Sequence, residues 1–185
     1  MFRSLAVVFV LLMSGCSTLK VIEVDEKTGY FPGTKLDAKV VKSVDVDLDS
    51  VNDLVLVPNG NFTSNMVKNI GYFDEVITFE DLEKIIIMND LTEEVSSITD
   101  RIGINKAAKA YKNFLWIRWD IRNEGTKEYQ QLILTDPITL EDLFIAETYL
   151  DYVWAGVTDQ YNWYPMMNAL IDYIKKNSET FRQEP

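Results

Sequence analysis

Four consecutive apolar residues, Leu54-Val55-Leu56-Val57, run up to Pro58-Asn59-Gly60. A strand without polar alternation has no face to give to water, so this one belongs inside a sheet covered on both sides. The next residues supply cover. Phe62, Met66 and Ile70 recur at a spacing of four, and Gly71 is placed as a helix stop. Glu75 to Phe79 returns to strand character, and Thr78 followed by Asp81 caps a second helix carrying Leu82, Ile85, Ile86 and Asn89 on neighbouring turns. Strand, helix, strand, helix in this order predicts a βαβ crossover and parallel pairing.

The second half reads differently. A third helix is expected from about Ile104 to Tyr111. Phe114 to Arg122 alternates, with Leu115, Ile117, Trp119 and Ile121 on one face, and Asn123-Glu124-Gly125-Thr126 reads as a turn. Glu128 to Asp136 and Leu143 to Tyr149 repeat the pattern around Asp136-Pro137, which predicts a three-stranded antiparallel meander. A last helix from about Asn162 to Asn177 starts near Pro165 and turns Trp163, Met167, Leu170 and Ile174 inward. Upstream, Val40, Val44, Val46 and Leu48 alternate as a half-exposed edge strand. Asp45, Asp47 and Asp49 open like a calcium loop, but Ser50 stands where that loop needs Gly and Leu56 where it needs Glu, so alternation is the better account. The expected fold class is α/β: a mixed β-sheet with a parallel βαβ first half, an antiparallel meander second half and a C-terminal helix.

Composition limits what can hold such a domain together and what it can do. With 47% hydrophobic and 12% aromatic residues, the chain is too apolar for disorder. It has one cysteine, so no disulfide can form within it and the fold rests on its core. It has no histidine, which removes the commonest general base, the usual zinc ligand and every Ser-His or Cys-His arrangement. Glycine-rich phosphate loops, Gly-x-Ser-x-Gly and paired metal ligands do not occur either. Two opposed carboxylates would suffice for glycosidic cleavage, yet Asp and Glu are too abundant for any pair to stand out. The reading is of a non-enzyme with no cofactor and no metal. A formal net charge of -11 repels phosphate backbones, so nucleic acid is not expected as a partner.

At the amino terminus Arg3 gives a positive start, Leu5 to Met13 form an apolar segment, and Leu12-Met13-Ser14-Gly15-Cys16 end it on the cysteine. This resembles the signal and lipobox of bacterial lipoproteins, with Met13 where Leu is most usual. The resemblance implies cleavage between Gly15 and Cys16, a diacylglycerol on the Cys16 thiol, and a new amino group open to acylation. An ordinary cleaved signal, or a buried helix ending in a chance cysteine, are the alternatives. The apolar segment is too short for a bilayer core that takes roughly 20 helical residues, whereas two or three acyl chains anchor firmly. Loss of Arg3 with the signal leaves 17 basic and 29 acidic residues, a net charge of -12. Such a surface repels anionic head groups, so membrane attachment is expected through lipidated Cys16 and not through a basic patch. Ser17 is not the Asp of the inner-membrane retention pattern, which favours an outer membrane, lipid-anchored location on the periplasmic face. Residues 1–15 are thus read as signal peptide, 16–34 as tether, 35–179 as a single α/β domain and 180–185 as tail. Fully stretched, Ser17 to Thr34 reaches no more than about 60 Å.

Leu54-Val55-Leu56-Val57-Pro58 forms a first core strand, and Gly71-Tyr72-Phe73-Asp74-Glu75-Val76-Ile77 a helix exit into a second. Asn113-Phe114-Leu115-Trp116-Ile117 gives a third, and Leu132-Ile133-Leu134-Thr135-Asp136 through Thr139 an aspartate and threonine turn. Over residues 53–177, joined to the signal, this order resembles the domain shared by the amino-terminal part of TolB, the lipoprotein activators of peptidoglycan synthases and the curli secretion lipoprotein. Leu140 follows Thr139 where that family commonly has Gly. The resemblance implies a protein that acts by binding other envelope proteins.

Tyr149, Tyr152, Trp154, Tyr161, Trp163 and Tyr164 crowd the end of the meander and the approach to the last helix. Packing of that helix on the sheet explains such a group. Partly exposed around Ala155-Gly156, the same residues would anchor a partner, because Trp and Tyr bring large contact area at small entropic cost. Trp154, Tyr152 and Tyr161 are the expected contacts, Trp154 foremost because it lies in the predicted loop. The expected role is a non-catalytic protein-binding accessory module with an envelope protein as partner. A second reading is a structural subunit of an envelope or secretion assembly that self-associates through a sheet edge such as Val40 to Leu48.

Overall fold

The computed structural model describes residues 22–150 and 158–181. Its strands are β1 (Lys39–Ser43), β2 (Leu54–Val57), β3 (Glu75–Thr78), β4 (Leu115–Glu124), β5 (Lys127–Asp136) and β6 (Glu141–Tyr149). Its α-helices are α1 (Asn61–Ile70), α2 (Phe79–Met88), α3 (Arg101–Ala110) and α4 (Tyr164–Asn177). All six strands join in one sheet ordered β1-β6-β5-β4-β2-β3. β2 pairs parallel with β3 and β4, and the pairs from β4 through β5 and β6 to β1 are antiparallel. The expected mixed α/β fold, with its parallel first half, antiparallel second half and C-terminal helix, is the fold observed.

β2 is fully buried, and its side chains feed two cores. Val55 and Val57 join Leu115, Ile117, Leu132 and Leu134 beneath α1 and α4. Leu54 and Leu56 join Phe114 and Trp116 against α2 and α3. Each such side chain contributes about 2 kcal/mol by leaving water, which is why a chain without disulfides can hold this sheet.

Local chemistry sets the element ends. α1 stops at Gly71, whose left-handed backbone (φ 74°) lets its N–H donate to the Lys68 carbonyl. Thr78 and Asp81 form the expected reciprocal cap on α2. α3 begins earlier than the periodicity suggests, because the Asp100 carboxylate accepts the Gly103 N–H at 2.8 Å and starts the helix there. The β4–β5 hairpin is tighter than the expected turn: Glu124 pairs with Lys127, leaving only Gly125 (φ 60°) and Thr126 between them. Between β5 and β6, Asp136 accepts the Ile138 N–H and the Thr139 hydroxyl, both at 2.8 Å. Leu140 then takes the left-handed region (φ 62°), a conformation that costs a residue with a Cβ about 1 kcal/mol and that glycine would adopt freely.

The edge strand is shorter than the stretch from Val40 to Leu48. A bulge between Val40 and Lys42 breaks the alternation and leaves Val40 at 49% exposure. Beyond Val44, whose N–H still donates to the Leu143 carbonyl (2.9 Å), the backbone exchanges partners: the Val46 N–H goes to the Asn177 side chain (3.1 Å) and the Leu48 N–H to the Asn177 carbonyl (3.0 Å). Those bonds tie the segment to the end of α4, and Leu48 is fully buried.

Packing onto this framework extends beyond residues 35–179 at both ends. Phe31, inside the segment expected as tether, is buried and stacks on Tyr164 with ring centroids 5.2 Å apart. The Asn168 amide holds it in place, accepting the Phe31 N–H at 2.8 Å and donating to the Phe31 carbonyl at 3.0 Å. The Tyr30 hydroxyl donates to Asp172, and the Ile22 N–H donates to the Tyr164 hydroxyl at 3.2 Å. Residues 22–37 are therefore a strap across α4. At the other end Asp49 accepts the Ser178 hydroxyl (2.6 Å), the Thr180 hydroxyl (2.7 Å) and the N–H groups of Thr180 and Glu179, which hold its carboxyl far below the usual range.

Candidate partner-binding surface

α1 and α4 cover one side of the sheet. On the other, the core made with α2 and α3 ends at Trp116 and takes no residue from β5, β6 or β1. Among the described residues, the far part of that face is polar and aromatic. Strand register sets Arg122 opposite Tyr129, Tyr129 opposite Tyr149, Gln131 opposite Glu147, and Lys39 opposite Glu147.

Glu147 organises the group. Its carboxylate is only 1% exposed and accepts two bonds from Arg122, Nε to Oε2 at 2.8 Å and Nη2 to Oε1 at 2.9 Å. Gln131 donates at 3.0 Å and Lys39 at 3.2 Å. The Arg122 bonds chiefly, aided by Gln131 and Lys39 and opposed by burial, hold the Glu147 pKa down to about 2. With its edge on Glu147 and Nη1 on Glu124 (2.9 Å), the guanidinium lies 4.3 Å from the Tyr129 ring centroid. Tyr149, 43% exposed, sits 5.7 Å from Tyr129 ring to ring. Nearer the helices, Arg118 reaches Asp142 at 3.1 Å, and Arg101 bridges Asp142 to the Leu140 carbonyl. Charged groups thus tie the strands together on either side of an apolar rung, Ile133 opposite Ile145.

The expected site residues fall out as follows. Gly15, Cys16, Tyr152 and Trp154 lie outside the described residues. Tyr161 is half-buried on a π-helical turn, Asp159–Trp163, that leads into α4. Trp163 and Tyr164 belong to the packing: Trp163 meets Trp119 edge to face at 4.5 Å, and Tyr164 is fully buried. Asn162, also fully buried, works as a clamp. Its side-chain oxygen accepts the Thr158 N–H at 3.1 Å and its amide donates to the Tyr149 carbonyl at 3.4 Å. The Leu150 N–H adds a bond to the Glu128 carbonyl at 2.9 Å. Leu150 and Thr158, which flank the sequence that carries Tyr152 and Trp154, are therefore held beside Tyr149.

Arg122, Tyr129 and Glu147 were not expected from the sequence. One signal for them exists: counting outward from the two-residue turn at Gly125-Thr126 pairs Arg122 with Tyr129. No protein-family model and no curated protein matches the chain. In structure it is similar to the C-terminal domain of LpoB from Salmonella enterica, with a TM-score of 0.34 and 14% identity, over 55% of this chain and 84% of that one. Among the described residues, no helix is long and apolar enough to cross a membrane, and no group of three or more carboxylates is placed to hold a metal ion.

Proposed function

We propose that this protein is a lipoprotein of the bacterial envelope, held through Cys16 on the periplasmic face of the outer membrane, where it acts as a non-catalytic module that binds another envelope protein. The observation carrying the binding role is the platform of Arg122, Tyr129 and exposed Tyr149 at the root of the segment that bears Tyr152 and Trp154. Arg, Tyr and Trp are the residues that dominate protein interfaces. Arg122 is already fixed by Glu147 and stacked on Tyr129, so contact costs it little further entropy. Self-association through β1 is less well supported, since a bulge and the flanking Lys39 and Lys42 blunt that edge.

A photo-crosslinking side chain placed at Tyr149 in cells tests this, with one at exposed Met88, the last residue of α2, as control. The expected result is an adduct with an envelope protein from Tyr149, none from Met88, and loss of the adduct on Trp154→Ala. Identical adducts from both positions, or one indifferent to Trp154→Ala, would contradict the binding role, and adducts of the chain with itself would favour the self-associating subunit.

A further inference from the structure

The strap has a geometric consequence once Cys16 is taken as lipid-bearing, and the inference here rests on that reading. Only residues 17–21 separate Cys16 from Ile22, whose N–H is fixed on the Tyr164 hydroxyl. Fully extended, the span from Cys16 to Ile22 is no more than about 20 Å. A domain of this length is roughly 40 Å across, so it can neither stand off from the bilayer nor turn its opposite side to it. The side around the start of α4 must face the lipid.

Among the described residues, that side carries four of the exposed large apolar residues, while the most exposed of all, Met88, Ile87 and Ile102, stand on α2 and α3. Ile22 (43% exposed) and Leu36 (47%) belong to the strap, and Val40 and Val41 to the bulged edge strand that follows it. Leu36 and Val40 border a groove with Pro165 and Ala169 in the opening turns of α4, the helix that Tyr164, the residue holding Ile22, begins. Lys39 and Lys42 are paired with Glu147 and Glu141, and Glu23, Asp25, Glu26 and Asp37 outnumber Lys27 and Lys35 on the strap, so contact with a bilayer here is apolar and not electrostatic. β3 lies at the other end of the sheet, five strand spacings or about 24 Å away. Met88, at the end of the helix that follows β3, is 82% exposed.

We propose that the strap and the β1 edge form a resting face on the phospholipid bilayer that holds the lipid anchor, leaving the α2 and β3 edge directed into the aqueous space. Because Cys16 is the only cysteine and its thiol is blocked by lipid, a thiol-reactive fluorophore reports on one introduced cysteine at a time. Full-length protein carrying Leu36→Cys, Val40→Cys or Met88→Cys is purified from membranes and reconstituted into phosphatidylethanolamine-rich vesicles containing a head-group nitroxide quencher. Quenching at positions 36 and 40 is expected to exceed that at 88 about threefold, as befits groups in and out of the interfacial layer. Equal quenching at all three, or the strongest at 88, overturns the resting face. The intact mass of the same preparations separates the causes. Acylated Cys16 with equal quenching defeats the resting face alone, and unmodified Cys16 defeats the anchor and the resting face together.

Discussion

Gly103→Ala is expected to destabilise the domain by about 3 kcal/mol, although alanine is the better helix former by about 1 kcal/mol. A Cβ at this position would stand 1.9 Å from the Ser97 carbonyl oxygen and 2.8 Å from its carbon. These are backbone atoms, so no side chain can swing aside. To accept the methyl group, the loop carrying Val95 and Ile98 must lift off α3, and both residues are part of the core that contains Ile104 and Leu56. Urea unfolding reads the effect as a fall in midpoint at constant slope. Alanine at neighbouring Ile102, which is exposed, should move the midpoint little. A neutral Gly103→Ala would mean that the loop does not pack on this helix.

Glu147→Ala is the second large effect, about 2 kcal/mol, because it removes the one buried carboxylate that Arg122, Gln131 and Lys39 share and leaves Arg122 with Glu124 alone. Replacing both members together, Arg122→Met with Glu147→Met, should recover most of the loss, since the pair's desolvation disappears with it. The pH dependence has a definite sign. Glu147 titrates lower folded (about 2) than unfolded (about 4.5), so its contribution is complete above the unfolded value and drains away as pH falls towards 2. Asp49, Asp81 and Glu124 are shifted the same way, so the wild-type slope between pH 5 and 2 contains all four. The difference between wild type and Glu147→Ala isolates one of them: it should be largest near pH 7 and shrink below pH 4. A difference independent of pH would mean that the loss comes from packing and not from charge.

Patterns of period and punctuation carried most of the fold. Leu54 to Val57, the Thr78 and Asp81 cap, the Gly71 stop and the meander are each decided by residues close in sequence, and each appears where local chemistry puts it. The strap was hidden because its composition is that of a linker: Phe31 is buried by a partner, Tyr164, lying more than a hundred residues away. The start of α3 is not legible in the apolar period, because Gly103 adds nothing to it, and its missing side chain is what lets the helix approach Ser97. The edge strand misled for a similar reason, as a bulge changes which way Val40 points without altering the apolar pattern. Of the proposed surface, Tyr149 was legible as part of the aromatic group, and Tyr129 and the charged residues were not. Arg122 and Glu147 are ordinary surface residues in a chain with 18 basic and 29 acidic ones, and only strand register sets them apart.

The mass of the intact protein extracted from its own membranes bears most directly on whether Cys16 holds this domain at a lipid surface. The predicted result is a chain that begins at Cys16 and carries the added mass of a diacylglycerol, with or without a further acyl group on its amino terminus. A chain that still contains Met1 to Gly15, or one that begins at Cys16 with a free thiol, would contradict it.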